Sequence, residues 1–263
     1  MRADVYLAEH GFAKSRQNAK VLIEKGSVTL DGKTVKKPSE NVDENTEHKV
    51  DVTQEKFVCR GGLKLEGALD SFGFDPSGLV CIDIGASTGG FTDCLLSRGA
   101  VKVYSVDAGH GQLDPSLASR DDVVNVEGYN ARYLSRADFP VTFDLAVMDV
   151  SFISQTYIHR GICDVLKCDG VLISLIKPQF EAGRAAIGKN GIVRRPEDRA
   201  AAIERVLSSA EEVGLFCTGL DVSPIEGGDG NTEYLAIFRR DGKRLIGKNE
   251  IKAVCAARKV SHG

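Results

Sequence analysis

"CIDIGASTGGFTDCLLSRGA" (residues 81–100) decides the fold of this chain. An apolar run comes first, then glycines and small hydroxyl residues, and then an amphipathic segment. This order is typical of a strand, a tight turn and a helix, and such turns cradle nucleotide-like ligands in doubly wound sheets. The stretch therefore predicts a ligand-binding turn inside an α/β domain.

The same alternation of apolar strands and helices continues over residues 62–240. It includes a predicted helix at about 156–166, a strand over 170–178 and a long helix over 196–214. Unbroken apolar strands of this kind indicate a parallel sheet that is covered by helices on both faces. The last two strands are joined by the short turn 226–231, so they must be antiparallel. The pattern predicts a Rossmann-like α/β domain that ends in an antiparallel hairpin.

The residues before this domain have the pattern of a separate small α+β module. Two short helices are predicted, the second capped by Ser15 and ended by Gly26. Three short strands follow, and the first two are joined across the tight Asp31-Gly32 turn. The predicted organisation is a module at 1–56, a linker at 57–61, the α/β domain at 62–240, and a basic tail or helix at 241–263.

Charge is distributed unevenly along the chain. The net charge of the 263 residues is −3, so any binding of nucleic acid needs a local basic patch. Residues 14–37 provide one, because they hold seven Lys or Arg residues against Glu24 and Asp31. The predicted RNA-binding residues are Lys14, Arg16, Gln17, Lys20, Lys25, Lys33, Lys36 and Lys37. On charge alone, solvation of a small domain explains the pattern equally well.

The cysteine pattern and the hydropathy indicate a cytoplasmic protein. Seven cysteines are present without a CxxC pair, which favours buried thiols over a disulfide framework, and no metal site is predicted. The N-terminal residues lack the apolar core of a signal peptide. No run of about 18 apolar residues is present, so no membrane segment is predicted.

The composition of the glycine turn limits the ligand. The turn has no lysine of a phosphate-binding loop, and the spacing of its glycines is not that of a nicotinamide fingerprint. Asp83 would repel a phosphate and attract a cation, while Asp107, 22 residues after Gly85, is placed to accept the hydroxyls of a ribose. S-adenosylmethionine satisfies both conditions. A glycine turn needed only for strand–helix packing is the alternative.

Charged residues occur at several strand ends of the predicted sheet. In open parallel sheets, ligands bind at the edge formed by the carboxyl ends of the strands. Asp149 and Lys177 each follow an apolar strand, Glu233 opens the antiparallel final strand, and Lys64 opens a helix. Two lysines and two acids without a metal cluster favour a reaction that removes one proton and stabilises one anion. Methylation of a ribose 2′-hydroxyl fits, because a neutral lysine can accept the proton of that poor nucleophile. For each residue the alternative is an ordinary surface ion.

Almost the whole chain resembles the TlyA family, which is known both as hemolysins and as ribosomal RNA cytidine 2′-O-methyltransferases. The resemblance is carried by SRQNAKVLIEKG, CRGGLKLEGAL, DIGASTGGFTDCLL, VDAGHGQLD, NARYL, MDVSFIS, IKPQFE and GNTEYLAIF. It implies an alpha-L RNA-binding module of the kind found in a small-subunit ribosomal protein. It also implies an FtsJ-like class I methyltransferase domain that binds S-adenosylmethionine and acts on cytidine in ribosomal RNA, in large and sometimes small ribosomal subunits.

The resemblance also implies roles for individual residues. The family's catalytic tetrad matches Lys64, Asp149, Lys177 and Glu233. From its place at a strand end beside two acids, Lys177 is our predicted general base. The implied cofactor contacts are Asp83, Gly85, Ala86, Ser87, Thr88, Gly89, Gly90, Phe91, Asp107, Asn130 and Asp149. One departure is the linker, which in some members reads Arg-x-Trp-Val and here reads Glu55-Lys56-Phe57-Val58. A ligand-sensing role of the linker is therefore not carried over.

Other classes of function remain as alternatives at this point. A membrane-active hemolysin is one, although no long amphipathic segment supports it. A non-catalytic ribosome-binding protein is another, although all four tetrad positions are filled. A pseudouridine synthase can carry the same RNA module but has no use for the glycine turn, and an NAD enzyme fits its spacing poorly.

Overall fold

In the computed structural model of the protein, the described residues are 1–24, 26–44, 46–52, 56–227 and 230–257. They fall into two compact units, Met1–Lys56 and Phe57–Gly263. Within the described part of the chain, no helix is both long enough and apolar enough to span a bilayer.

The N-terminal unit contains two helices and a three-stranded antiparallel sheet of order β2-β1-β3. Its elements are α1 (Ala3–Glu9), α2 (Arg16–Glu24), β1 (Val28–Leu30), β2 (Lys33–Thr34) and β3 (Val50–Val52). Its core is made by the buried side chains of Ala3, Tyr6, Leu7, Ala19, Ile23, Val28, Val35 and Val42. The helices and strands predicted for this module are confirmed.

Two local signals explain where these elements begin and turn. The Ser15 hydroxyl accepts a hydrogen bond from the backbone N–H of Asn18 (3.1 Å), as expected of an N-cap. Asp31 and Gly32 both have positive φ, 51° and 76°, which is the backbone of a tight turn between twisted strands. The start of α2 and the turn between β1 and β2 are therefore both set by residues within or next to these elements.

The C-terminal unit is built from strands that alternate with helices. Its strands are β4 (Val80–Ile84), β5 (Lys102–Val106), β6 (Val123–Val126), β7 (Phe143–Met148), β8 (Leu166–Ile176), β9 (Phe216–Val222) and β10 (Tyr234–Arg239). Its α-helices are α3 (Gly61–Phe72), α4 (Gly90–Ser97), α5 (Pro115–Ala118), α6 (His159–Val165), α7 (Pro178–Glu181), α8 (Pro196–Glu212) and α9 (Lys248–Ala256).

The strand order of the large sheet is β6-β5-β4-β7-β8-β10-β9. The first five strands of this order are parallel, and β10 pairs antiparallel with both β8 and β9. This confirms the predicted Rossmann-like sheet with a terminal antiparallel hairpin. The chain moves outward from β4 in one direction and returns to β7 on the other side, so a crevice opens between the carboxyl ends of β4 and β7.

Two apolar layers cover the sheet. Successive residues of a strand point to opposite faces, so Cys81 packs with the helices α3 and α4 while Ile82 packs with α6, α8 and α9. Each layer removes many aliphatic side chains from water, at about 25 cal/mol per Å² of apolar surface. The sheet is therefore held rigid on both sides of its carboxyl edge.

Three element boundaries differ from those predicted. The predicted helix at about 156–166 is divided into a 3-10 turn, Gln155–Tyr157, and the shorter α6. The strand predicted over 170–178 begins earlier, at Leu166, and ends at Ile176. Periodicity did not mark the earlier start of β8, because Lys167, Cys168 and Asp169 are exposed and interrupt the apolar run. Within 241–263 the described residues include α9, whose Ile251 and Cys255 are buried in the core.

Candidate active site at the carboxyl edge of the sheet

The glycine turn after β4 lies directly against the chain that leaves β7. Gly85 has φ of 83°, and a Cβ added to it would lie 2.8 Å from the Asp149 carbonyl oxygen. A larger residue is excluded there by both the backbone conformation and the space. The close approach brings the turn and Asp149 to one side of the crevice.

Two cavities open at this crevice and share Gly85, Ser87, Asp149 and Ser151 in their walls. The first, called here the Asp107 cavity, has a volume of about 170 Å³ and is also lined by Asp107, Ala108, Tyr129, Asn130, Ala131, Val106, Val150, Ile153 and Ile158. The second, the Lys177 cavity, has a volume of about 250 Å³ and is also lined by Cys59, Gly61, Lys64, Ala86, Thr88, Gly90, Phe91 and Lys177.

A larger groove of about 560 Å³ lies between α8 and α9. Ala200, Ala201 and Ile251 contribute to its walls. None of the four predicted tetrad residues lines this groove. The groove is therefore separate from the crevice, where the two cavities lie.

The carboxylate of Asp107 is fixed by backbone donors. One oxygen accepts from the N–H of Ser87 (2.8 Å) and the other from the N–H of Gly109 (2.7 Å). Each carboxylate oxygen retains a further lone pair, so the group can still accept hydrogen bonds from hydroxyls in the Asp107 cavity. Asn130 lines the same cavity, and its side-chain oxygen accepts from the N–H of Arg132 (3.1 Å).

Lys177 is nearly buried, with 8% of its surface exposed, and its amine has two partners. Nζ lies 2.6 Å from Asp149 Oδ1 and donates to the Ser151 hydroxyl at 2.8 Å. The pairing with Asp149 agrees with the placement predicted from the strand ends. Ser151 was not predicted as a site residue, although it is a small hydroxyl residue two positions after a candidate acid.

Lys64 and Glu233 form a second ion pair, in which Nζ lies 2.6 Å from Oε2. The two side chains are 12% and 3% exposed, and Lys64 lines the Lys177 cavity while Glu233 does not. The tetrad therefore consists of two lysine–carboxylate pairs, from residues 169 positions apart in one case. Lys64, Asp149 and Lys177 meet in one cavity.

Removal of one member of a nearly buried pair leaves the other charge without a partner. We expect Glu233→Ala to lower the free energy of unfolding by about 3–5 kcal/mol, because the Lys64 ammonium stays buried. Lys167→Ala, which removes the more exposed pair with Asp144, is the matched control and should cost much less. Urea unfolding measures both, and equal costs would contradict the burial of Lys64.

Asp83 lies beneath the glycine turn and lines neither cavity. It is completely buried, its Oδ2 accepts from the Thr92 hydroxyl (2.7 Å), and Thr92 is in turn hydrogen-bonded to Ser105 (2.7 Å). Burial raises the pKa of Asp83 to about 7, and the nearby Asp149 and Asp107 carboxylates also raise this pKa. Asp83, predicted from the sequence to attract a cation, is thus completely buried and lies outside the walls of both cavities.

The raised pKa of Asp83 makes stability depend on pH. Its folded-state pKa of about 7 exceeds the unfolded value of 3.8, so folding takes up a proton between these limits. The free energy of unfolding should therefore fall as pH rises from about 4 to about 7. Asp83→Asn keeps an acceptor for Thr92 and should lose much of this dependence, measured by urea unfolding at pH 5 and pH 8. An equal loss of stability in both proteins would contradict the assignment.

The remaining residues of the turn divide into two groups. Ala86, Ser87, Thr88, Gly90 and Phe91 line the Lys177 cavity. Gly89 lines neither cavity; its φ is 95°, and a Cβ there would lie 2.4 Å from Leu117 and 2.7 Å from Leu113. Packing against Leu113 and Leu117 thus favours glycine at position 89. For this residue, the packing role given above as the alternative to ligand binding fits the structure.

The predicted RNA-binding residues lie on the N-terminal unit. Those with exposed side chains are Lys14, Arg16, Gln17, Lys33, Lys36 and Lys37, while Lys20 is partly exposed and Lys25 lies outside the described residues. Arg16 also has a structural partner, because its Nε lies 2.9 Å from the buried carboxylate of Asp4, which Arg2 pairs with at 2.8 Å. The hydrogen bond from Arg2 is the largest cause that lowers the pKa of Asp4.

Among the residues that the structure describes, no three His, Cys, Asp or Glu side chains are grouped as a metal site would require. The polar groups of the crevice are instead the two lysine pairs, the Ser151 hydroxyl and the fixed Asp107 carboxylate.

Comparison with known proteins agrees with this geometry. The model of the FtsJ-like methyltransferase family matches residues 57–240, and that of the S4 domain matches residues 1–48. The chain is 39% identical, over 93% of its length and 92% of the relative, to the 16S/23S rRNA (cytidine-2′-O)-methyltransferase TlyA of Mycobacterium tuberculosis. The chain belongs to the TlyA family of FtsJ-like methyltransferases.

Further members of the TlyA family carry other names. A Bacillus subtilis protein provisionally named the rRNA methyltransferase YqxC is 43% identical over 94% of this chain and 88% of that protein. A solved structure from Streptococcus thermophilus, provisionally named a hemolysin, is 42% identical with a TM-score of 0.77. It covers 97% of this chain and 94% of its own. The TlyA resemblance and the methyltransferase class predicted from the sequence are confirmed.

Proposed function

We propose that this protein transfers a methyl group from S-adenosylmethionine to the 2′-hydroxyl of a cytidine in ribosomal RNA. The large subunit is the first candidate substrate, the small subunit is the second, and the cytoplasm is the place of action. The observation that carries the proposal is the amine of Lys177, held by Asp149 and Ser151 where the two cavities share their walls. The names of the TlyA relatives support the substrate.

The residues at the crevice fit S-adenosylmethionine. The fixed Asp107 carboxylate would accept the ribose hydroxyls, and the backbone of Gly85, without a Cβ, leaves room for the ligand. Asn130, Ala86, Ser87, Thr88, Gly90 and Phe91 would complete the walls. Asp83 would act from below the turn, as a buried acid whose Oδ1 has no hydrogen-bond partner among the described residues. When bound, the cofactor supplies a methyl group on a positively charged sulfur.

Lys177 is the proposed general base. In its neutral form the amine accepts the proton of the 2′-hydroxyl, which makes the oxygen a stronger nucleophile. Asp149 and Ser151 hold Nζ in one place before the transfer and stabilise the ammonium that forms. The near-complete burial of the lysine excludes water that would otherwise compete for this proton.

Lys64 is proposed to stabilise the negative charge that develops on the ribose oxygen. Its ammonium lies in the wall of the same cavity, and Glu233 fixes its direction through the 2.6 Å ion pair. A preorganised cation in a site with little water acts more strongly than one in solution. In this proposal the Lys177–Asp149 pair removes the proton, and the Lys64–Glu233 pair stabilises the charge.

The N-terminal S4 domain is proposed to bind the RNA backbone. Its exposed lysines neutralise phosphates and release counterions, a contribution that depends on salt and not on sequence. Because a ribose in structured RNA is enclosed, we expect the target nucleotide to leave its stack before it reaches the Lys177 cavity.

Lys177→Ala should lower methyl transfer by at least about 100-fold, because among the described residues no other amine lies against both Asp149 and Ser151. Binding of S-adenosylmethionine should persist, because the walls of the Asp107 cavity are unchanged. Methyl transfer to ribosomal RNA is followed with labelled cofactor, and binding is followed by calorimetry. The 2′-O-methyl marks are then mapped on ribosomal RNA from cells with and without the gene.

Lys167→Ala is the control, because that lysine is exposed and pairs with Asp144. Full activity of Lys177→Ala would exclude this lysine as the base. Lysis of red cells by an inactive Lys177→Ala protein would favour the membrane-active alternative.

Lys20→Ala should weaken RNA binding and reduce the slope of log K against log salt by about one. Lys20 is a better choice than Arg16, because Arg16 also pairs with the buried Asp4. Lys49→Ala, which removes a lysine that is 79% exposed outside the basic patch, is the control. Filter binding of the full chain at several salt concentrations measures the slope. An unchanged slope would assign the S4 domain to another ligand.

A further inference from the structure

Two chain segments meet beside the Lys177 amine, and they are joined at more than one point. The first is the loop of residues 149–154 that leaves β7, and the second is the turn 177–181, which contains the short helix α7 and leaves β8. The contacts of Lys177 with Asp149 and Ser151 join them on the cavity side. A second set of contacts joins them farther along both segments.

The carboxylate of Glu181 makes the second connection. It is 3% exposed, and its two oxygens accept from the backbone N–H of Gln155 (2.9 Å) and from the hydroxyl of Ser154 (2.5 Å). The Arg205 guanidinium of α8 donates to the Glu181 carbonyl at 2.6 Å, so the turn is also fixed from the helix side. The carboxylate thus bridges the turn after β8 to the loop after β7.

Gln155 extends this connection into the sheet. Its side chain is 1% exposed, its Nε2 donates to the Leu175 carbonyl (2.9 Å), and its Oε1 accepts from the Ser174 hydroxyl (2.5 Å). The network therefore runs from Ser154 and Gln155 through Glu181 and back to β8. All of its polar contacts lie within a few residues of the catalytic candidates.

The loop 149–154 has reason to need such a restraint. Phe152 has φ of 64°, a left-handed conformation that is strained for a residue with a Cβ, and its side chain is 92% exposed. A strained conformation persists only where the surrounding contacts determine it. The Phe152 ring contacts the Phe180 ring, with centroids 5.2 Å apart, but it stays 92% exposed. Polar contacts of the neighbouring residues therefore add to this one ring contact in holding the loop.

We propose that Glu181 is a positioning residue of the methyl-transfer reaction: its carboxylate holds the loop 149–154 so that Asp149 and Ser151 stay on the Lys177 amine. The inference rests on the proposed function for its kinetic consequence, and on the geometry alone for its structural one.

A purely stabilising role explains Glu181 less well. Burial raises the pKa of this carboxyl, which means that the ionised form is costly where it lies. A buried charge contributes little stability compared with apolar packing of the same volume. A single carboxylate can, however, accept from two donors on the neighbouring loop at fixed angles, which an apolar side chain cannot do.

The kinetic experiment compares Glu181→Ala with Glu181→Gln in the full chain. Glu181→Ala should lower kcat by roughly 10- to 100-fold, because a displacement of about 1 Å at the base has effects of this size. Its KM for RNA and its cofactor affinity should stay within about threefold. Glu181→Gln should recover most of kcat, because the amide can accept from Gln155 N–H and donate to the Ser154 hydroxyl.

A double-mutant cycle with Ser151→Ala separates positioning from stability. If Glu181 acts through the loop, the combined loss in kcat should fall short of the product of the single losses by at least about threefold. Ile237→Val, a core substitution among residues packed with α3 and α4, is the control for stability loss and should leave kcat unchanged. Multiplicative losses, or a normal kcat in Glu181→Ala, would overturn the proposal.

A chemical measurement tests the geometry without activity. Lys177 is labelled by reductive methylation with formaldehyde and quantified in its peptide by mass spectrometry. The rate should rise several-fold in Glu181→Ala and stay near the wild-type rate in Glu181→Gln and Ile237→Val, because only the first releases the partners of the amine. Equal rates in all four proteins would overturn the positioning role. A wild-type protein inactive on ribosomal RNA would instead contradict the proposed function, and the labelling result would still stand by itself.

Discussion

A lysine amine that lies almost out of water has to be paired, and the proposed site is built on two such amines. Lys177 is held by Asp149 and Ser151, and Lys64 is held by Glu233. Desolvation makes each pair costly to assemble and more costly to break, so their geometry is maintained by everything packed around them. The rigid sheet is covered by apolar layers on both faces, and these layers provide that packing without further buried polar groups.

The strand order explains why these residues meet at all. Because β4 and β7 are neighbours and the chain turns away from each in opposite directions, the loops that follow them border one crevice. Gly85 permits the two loops to approach within a distance that a side chain would prevent. Glu233 reaches the same edge because β10 runs against its neighbours. The strand order and the strand directions thus bring the catalytic candidates to one edge of the sheet.

Much of this could be predicted from the sequence. Apolar runs followed by Asp149 and Lys177 identified two strand ends, and parallel strands put such ends at one edge. The same pattern did not predict how deeply each of these residues is buried. Asp83 lies one residue before the end of β4 and Asp107 directly follows β5, yet Asp83 is completely buried and Asp107 lines a cavity. The role of Gly89 in packing against Leu113 and Leu117, and the contacts of Glu181 with Ser154 and Gln155, join residues too far apart in sequence for any periodicity to link them.

The reversed direction of β10 has a consequence for how the chain tolerates insertions. In the parallel strands, the segment that follows a strand borders the crevice, and the segment that precedes it lies at the far edge. For β10 the order is opposite: Glu233 comes before Tyr234, and the chain after Arg239 opens away from the crevice. Added length in the β9–β10 connection would therefore disturb the partner of Lys64, whereas added length directly after Arg239 would enter at the far edge of the sheet, before α9 begins.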